Sequence, residues 1–449
     1  MLLKKNQELT VDITSLGING EGIAKIDGYP IFIKGVLPGE KVNIAITKVT
    51  KNFSYARVLN ILSFSSDRED PLCPVAGKCG GCTLQHLKYD AQLIFKRDKV
   101  KNNIERIGGF KNIEIEPTIG ASSPYKYRNK AQYPVSEKNG EMITGFYAEN
   151  SHRIVPCENC VIGPEINSKI INILKKENIP PYSEEKHSGL LRHIVIRHGF
   201  KTDDIMVILV INANSLMLSE ECITELKKIG VTSIFVCSNT KRTNVILSND
   251  IKCIYGEDHI TEKIEDLNFK ISPLSFFQVN TFQTEVLYST ALGLADVTPN
   301  KTVIDAYCGT GTISLFIAKK AKKVYGVEIV AEAIDCAKEN AKINNINNAE
   351  FFVGKSEEIV PFLCNEKGIS PDIVFVDPPR KGCDASLLEM LKKVLPDKIV
   401  YISCDSATLA RDLKILCQDN DYKIEKVQPV DMFPHTAHIE TVCLLSRKS

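Results

Sequence analysis

No run of eighteen or more apolar residues occurs in the 449-residue chain, so the sequence offers no candidate membrane-spanning helix. An export signal is missing too: Lys4 and Lys5 lead into polar Asn6, Gln7 and Glu8, with no apolar core behind the charges. The expected location is the cytoplasm. Net charge is almost absent, at +1, so any nucleic-acid contact must rely on local cationic patches and not on bulk basicity. Neither an internal repeat nor a low-complexity tract is present. What is there is an ordinary globular composition, 43% hydrophobic and 25% charged. Its length suggests about two to four domains, and we expect three, acting as a monomer. Fifteen cysteines are many for such a chain. A reducing compartment disfavours disulfides, so most should be small buried hydrophobes, but Cys73, Cys79 and Cys82 cluster and need another explanation.

Residues 8–62 alternate apolar and polar side chains, with strands expected at 9–13, 17–22, 29–33, 41–47 and 54–61, the pattern of a small β-barrel. The stretch Gly17-Ile-Asn-Gly-Glu-Gly-Ile-Ala24, followed by Ile33-Lys-Gly-Val-Leu-Pro-Gly-Glu40, resembles a TRAM domain, an OB-like RNA-binding barrel. Lys34, Lys41, Lys48, Lys51 and Arg57 are its candidates for a backbone-tracking groove, with ordinary solvated lysines as the alternative. A polar linker spans 63–71. Beyond it, Leu87, Ala91, Ile94 or Phe95, and Val100 predict a helix over 84–107, stopped by Gly108-Gly109, and strands follow at 191–198 and 205–211. From Thr302 onward strand and helix alternate, with strands at 303–306, 324–328, 351–353, 373–376 and 398–402, which predicts a doubly wound sheet. The last two strands, 422–427 and 439–445, lack a crossover helix and should pair as an antiparallel edge. The expected class is therefore α/β, with an N-terminal OB-like barrel over 1–64, a central α+β domain over 65–272 and a Rossmann-like domain over 273–449.

Val303-Ile-Asp-Ala-Tyr-Cys-Gly-Thr-Gly-Thr312 places Gly309 and Gly311 after the first strand of that last domain, where a tight turn lets backbone approach a ligand. A dinucleotide fold would require a further glycine at 314, which is Ser314. Glu328 ends the second strand, placed to accept both ribose hydroxyls of an adenosyl group. These residues, with Asp377-Pro-Pro-Arg-Lys-Gly382, resemble the class I S-adenosylmethionine-dependent methyltransferases. Prolines 378 and 379 stiffen a loop at a strand end, where α/β folds build their sites.

Cys404 follows the expected strand 398–402 and precedes a helix from Thr408, while Glu440 lies in Phe-Pro-His-Thr-Ala-His-Ile-Glu-Thr, 433–441. A thiolate and a carboxylate base are what activation of a pyrimidine C5 requires, since sulfur added at C6 makes C5 nucleophilic. A helix N-terminus lowers a thiol pKa. With Ser275-Phe-Phe-Gln-Val-Asn280, these segments make the whole chain resemble the RNA uracil-5-methyltransferase family. That resemblance implies Cys404 as nucleophile, Glu440 as base, and Gln278, Tyr307, Glu328 and Asp377, with the Gly309 and Gly311 turn, as the S-adenosylmethionine site. It also implies Phe276 stacking on the target base. Arg380 could balance Asp377 or stabilise the enolate oxygen. The family's Asn-Pro after the nucleophile is Asp405-Ser406 here, which puts a negative charge beside the thiol that should oppose thiolate formation.

The spacing of Cys73, Cys79 and Cys82, with Gly80-Gly81 between the last two, implies a metal centre, and no paired zinc knuckle lies nearby. Zinc stays open as an alternative. The family resemblance implies a 4Fe-4S cluster held by Cys73, Cys79, Cys82 and Cys160, with Cys157 as the other choice of fourth ligand. Radical use of the same cofactor does not suit this spacing. For RNA, residues 124–133 mix three tyrosines with Lys126, Arg128 and Lys130, suited to stacking on flipped bases and neutralising phosphate. Arg192, His193, Arg197 and His198 form a second patch, His193 and Arg197 sharing one strand face. The reading is methylation of uridine C5 in structured RNA, ribosomal first and transfer RNA second, with no DNA or membrane partner expected. A non-catalytic iron–sulfur RNA-binding protein and an iron–sulfur oxidoreductase are the competitors from other classes.

Overall fold

A computed structural model describes residues 3–448. Its N-terminal sheet has six strands in the order Glu8–Asp12, Lys41–Val49, Ser54–Ser63, Tyr29–Ile33, Gly22–Ile26, Ser15–Leu16. Alternate residues Val11, Ile31, Ile33, Ile44 and Ile46 fill its interior. The strand expected at 17–22 is instead the turn between two short strands: Gly17 N–H donates to the Glu21 carbonyl at 2.7 Å, and Ser15–Leu16 pairs back onto Gly22–Ile26. Gly20 makes this turn possible. Its φ is +89°, and a Cβ there would come within 2.6 Å of the Leu84 side chain.

The central sheet has seven strands, ordered Ile251–Gly256, Val231–Ser238, Ile205–Ile211, Leu191–His198, Lys130–Lys138, Glu141–Tyr147, Ile154–Pro156. Every residue of Ile205–Ile211 is buried because both sheet faces are covered. Helices Ile166–Lys176 and Glu220–Lys228 cover one face. The other, through Val195, Met206, Ile208 and Val210, joins one continuous apolar core with the hairpin Ile260–Ile264/Leu267–Ile271 and the C-terminal domain.

The helix expected over 84–107 is Tyr89–Arg106. Its first turn is missing because the Lys88 N–H, which a helix begun at 84 would give to the Leu84 carbonyl, donates to the Asp67 carbonyl at 2.8 Å, and Gln92 Nε2 donates to the Leu84 and Leu87 carbonyls at 3.1 and 2.7 Å. Of the expected apolar positions, Leu87 and Val100 are buried and Ala91 and Phe95 pack against the core, while Ile94 is exposed and the buried face also carries Gln92, Lys96 and Ile104. That face packs against helix Ser406–Cys417 and strand Tyr422–Val430 of the C-terminal domain. The segment after it adds bridges Ile115 to Val427 and Ile119 to Val430.

The C-terminal sheet is as expected: Ala349–Val353, Lys323–Glu328, Thr302–Asp305, Ile373–Val376 and Lys398–Ser403 run parallel. Glu440–Arg447 then pairs antiparallel with both Lys398–Ser403 and the edge strand Tyr422–Val430. No helix among the described residues is long and apolar enough to cross a membrane.

Candidate active site

Three neighbouring strands deliver the candidate side chains to one end of the sheet. Ile373–Val376 ends at Asp377, Lys398–Ser403 ends at Cys404, and the antiparallel strand begins at Glu440. Ser403 is paired with Thr441, so the next step of the ladder sets Cys404 opposite Glu440. Strand spacing of about 4.8 Å makes these near neighbours.

The electrostatics agree with that placement. Burial pushes the Cys404 thiol up to about 12, Glu440 and Asp377 add to the rise, and Arg380 opposes it. Glu440, buried, is held well above the usual carboxylate range by desolvation and by Asp377, again against Arg380. Asp377 is lifted to about 7 by desolvation and by Asp305. A thiol, two carboxyls of raised proton affinity and one exposed guanidinium thus stand within electrostatic reach of one another. Asp405 does not act as expected: its carboxylate caps helix Ser406–Cys417, accepting from Ala407 N–H at 2.8 Å and Thr408 N–H at 3.3 Å. The opposition to thiolate formation comes chiefly from burial, Glu440 and Asp377.

The glycine turn lies two strands away. Gly311 has φ +83° and caps helix Thr312–Ala318; a Cβ would press to 3.0 Å from Ala337 Cβ. Gly309 faces open space, with nothing within 4 Å of where its Cβ would be. Glu328 accepts the Gly309 N–H at 3.2 Å and the Val330 N–H at 3.1 Å, one on each carboxylate oxygen. Each oxygen keeps a lone pair for a further donor. Tyr307 is half-buried, its hydroxyl bonded to Cys383. Gln278 is half-buried, its backbone carbonyl taken by Asn129 Nδ2 at 2.9 Å. Sequence reasoning passed over two buried supports. Asp305 accepts from Ser314 and is pushed to about 7 by burial, and Tyr288 bonds Thr312 at 3.0 Å beneath the turn. Both sit among apolar residues, where periodicity marks only core.

Residues 88–448 match the family described as tRNA (Uracil-5-)-methyltransferase, and residues 3–59 match the TRAM domain. The chain belongs to the RNA uracil-5-methyltransferase family. This S-adenosylmethionine-dependent RNA methyltransferase is 50% identical to an RNA methyltransferase of Clostridium tetani across 99% of this chain and 97% of the relative. It is 48% identical to one of Halalkalibacterium halodurans across 100% and 98% of the two chains. A crystal structure of the Pyrococcus abyssi tRNA (uracil-54, C5)-methyltransferase in complex with S-adenosyl-L-homocysteine superposes with TM-score 0.78 at 29% identity, over 97% of this chain and 100% of that one.

Elsewhere in the methyltransferase, Cys73, Cys79, Cys82, Cys157 and Cys160 gather. Burial lifts Cys82 to about 12, and Cys160, Cys79 and Cys73 each contribute. N–H groups are aimed at the sulfurs, from Gly81 to Cys79 at 3.3 Å and from Ile162 and Gly163 to Cys160. Among the described residues no three His, Cys, Asp or Glu side chains stand close enough to hold one metal ion, so the thiols feel one another across a wider span.

The expected RNA surfaces need correction. Tyr127 and Tyr133 are buried core residues and cannot stack on bases; only Tyr125 of the three is partly open, lying 4.4 Å from the His435 ring. Arg192 and Arg197 are also buried, bonded to the carbonyls of Asn239 and Lys241 and of Pro273 and Ser275. They brace loops. Arg128 and Lys130 stay half-exposed, and burial with Arg197 and Arg128 nearby drops Lys130 to about 8. Phe276 is 73% exposed on the loop that carries Gln278.

Proposed function

We propose that this methyltransferase methylates C5 of a uridine in ribosomal RNA by covalent catalysis, with Cys404 as nucleophile and Glu440 as base. The observation that carries the reading is the ladder placing residue 404 opposite residue 440, beside Asp377 and Arg380. Bound S-adenosylmethionine supplies an electrophilic methyl group, so the protein's task is to raise electron density on the pyrimidine. The Cys404 thiol releases its proton to solvent and its sulfur bonds to C6, pushing the electron pair of the 5,6-double bond toward C5 and the O4 enolate. C5 takes the methyl group as the donor's carbon–sulfur bond breaks. The C5 proton then passes to Glu440, the electron pair re-forms the double bond, and the C6–sulfur bond breaks to free the thiolate. Arg380 favours the Cys404 thiolate and is read as stabilising the enolate oxygen.

Gln278, Tyr307, Glu328 and Asp377, with the Gly309 and Gly311 turn, are the residues read as holding the cofactor; the open side of Gly309 and the free lone pairs of Glu328 support this. Exposed Phe276 is read as stacking on a uracil swung out of the RNA. Arg128 and Lys130 are read as phosphate contacts, since their crowding with Arg197 is a repulsion that an anion relieves. The cysteine group is read as the seat of a 4Fe-4S cluster on Cys73, Cys79, Cys82 and Cys160. The N–H groups aimed at the Cys79 and Cys160 sulfurs, and the raising of the Cys82 thiol by Cys160, Cys79 and Cys73, support this reading. Its role is structural, because methyl transfer moves no net electrons.

Ribosomal RNA is the first reading on the combined barrel and cysteine cluster. Transfer RNA is the second, favoured by the Pyrococcus enzyme's coverage of 97% of this chain. Anaerobically purified protein and its Cys404→Ala variant, given S-adenosylmethionine with unmodified ribosomal or transfer RNA, test this by mass-spectrometric mapping of 5-methyluridine. Product in ribosomal RNA with wild type alone is expected. Product only in transfer RNA establishes the second reading, and no product in either refutes both.

A further inference from the structure

Residues 431–439 connect the edge strand Tyr422–Val430 to Glu440 without regular structure, yet their backbone is held almost residue by residue. The Met432 carbonyl accepts from Asn280 Nδ2 at 3.2 Å, Phe433 from Lys96 Nζ at 3.0 Å and Pro434 from the Tyr127 hydroxyl at 3.1 Å. His435 accepts from the Thr83 and Leu84 amides, and Ala437 from Lys99 Nζ at 2.8 Å. Donors from four separate stretches of chain therefore converge on five carbonyls. At the centre, Gln92 is doubly engaged with His435: its Oε1 accepts the His435 N–H at 2.9 Å, and its Nε2 lies 3.2 Å from Nδ1. The same amide nitrogen also donates to the Leu84 and Leu87 carbonyls. His435 is buried with φ +65°, a left-handed conformation uncommon for a non-glycine residue. Lys96, fully buried, pairs with Asp431 at 2.5 Å where the segment begins.

Residues 431–437 are mostly buried, so their carbonyls need protein partners, and here the partners are side chains and amides of distant elements instead of the two strands the segment joins. Its far end is Glu440, which must meet a proton on C5 at a stage when the base is already tethered to Cys404. We infer that Gln92 and Lys96, with the Thr83 and Leu84 amides, are positioning groups that clamp residues 431–437 so that Glu440 reaches the C5 proton. This rests on the proposed roles of Cys404 and Glu440. The clamp also ties catalysis to the cysteine loop, because Thr83 directly follows Cys82.

Loss of the clamp should impair proton removal more than methyl transfer. The test uses full-length protein, RNA tritiated at uridine C5 and methyl-labelled S-adenosylmethionine, with Gln92→Leu, His435→Asn and Glu440→Gln variants. Asparagine tolerates the left-handed conformation, so His435→Asn removes the ring contact with little backbone cost. Melting curves and cofactor binding establish that each variant is folded; if Gln92→Leu is not, His435→Asn decides. For the folded clamp variants the expected result is about a fivefold or greater fall in tritium released per methyl transferred, with a methylated protein–RNA adduct accumulating on denaturing gels. Parallel loss of both labels without an adduct overturns the inference. Glu440→Gln separates the two claims, since failure of that variant to accumulate adduct refutes the base assignment itself.

Discussion

Cys404 should be a reluctant nucleophile until RNA is bound. Burial and the Glu440 and Asp377 carboxyls together lift its thiol to about 12. At pH 7 about one molecule in 10⁵ is then thiolate, against about three in a hundred for a free cysteine with pKa about 8.5. A more basic thiolate is intrinsically more reactive, by roughly fortyfold over this range at a Brønsted coefficient near 0.45. The two effects leave Cys404 about a hundredfold slower than a free thiol toward iodoacetamide at neutral pH. The rate should still be climbing at about pH 10, since a raised pKa moves the thiolate plateau above the usual range. Timed alkylation, read by mass spectrometry on the Cys404 peptide, measures this despite the other fourteen cysteines. Removing an opposing carboxyl with Glu440→Gln should speed the reaction, and Arg380→Ala should slow it. Asp405→Asn should change little, because that carboxylate is committed to the helix cap and asparagine caps equally well. A plateau with apparent pKa at or below about 8.5 in the free protein refutes the reasoning.

Two further outcomes follow from buried geometry. Lys96→Met strands the Asp431 carboxylate in a fully buried site and should cost about 3–5 kcal/mol, read as a lowered urea midpoint. Adding Asp431→Asn should recover part of that loss, since the asparagine oxygen still accepts from Phe433 N–H and its amide nitrogen can donate to the Tyr89 hydroxyl; no recovery counts against the ion pair as the cause. Gly311→Ala forces a side chain into a left-handed turn and against Ala337, so calorimetry should show S-adenosylmethionine binding weakened about tenfold or more.

The C-terminal sheet was legible nearly to the residue because parallel buried strands are short apolar runs separated by glycine turns and helices, a pattern with few alternatives. The glycine turn and the strand-end positions of Asp377 and Cys404 came with it. The helix at Tyr89–Arg106 was legible only in part. Its apolar stripe holds through Leu87, Ala91, Phe95 and Val100, whereas the buried face also presents Gln92 and Lys96 to partners more than 330 residues away. No local pattern records such partners. Residues 124–133 misled in the other direction: tyrosines among cations look like a stacking surface, but Tyr133 is core and Tyr127 reaches back to the Pro434 carbonyl.

Residue identity alone determined which chemistry is available: a thiol at a strand end, a carboxyl in a late segment, a glycine turn followed by an acidic residue, and a cysteine group outside the catalytic domain. These are local facts, set by short-range spacing and by backbone conformations that few residues tolerate. Only the tertiary structure decided that Cys404 and Glu440 face each other, because an antiparallel register across 36 positions is set by side-chain packing on both faces of the sheet. It alone also decided their proton affinities, which depend on what burial excludes and which charges come near, quantities that exist only once the chain is folded.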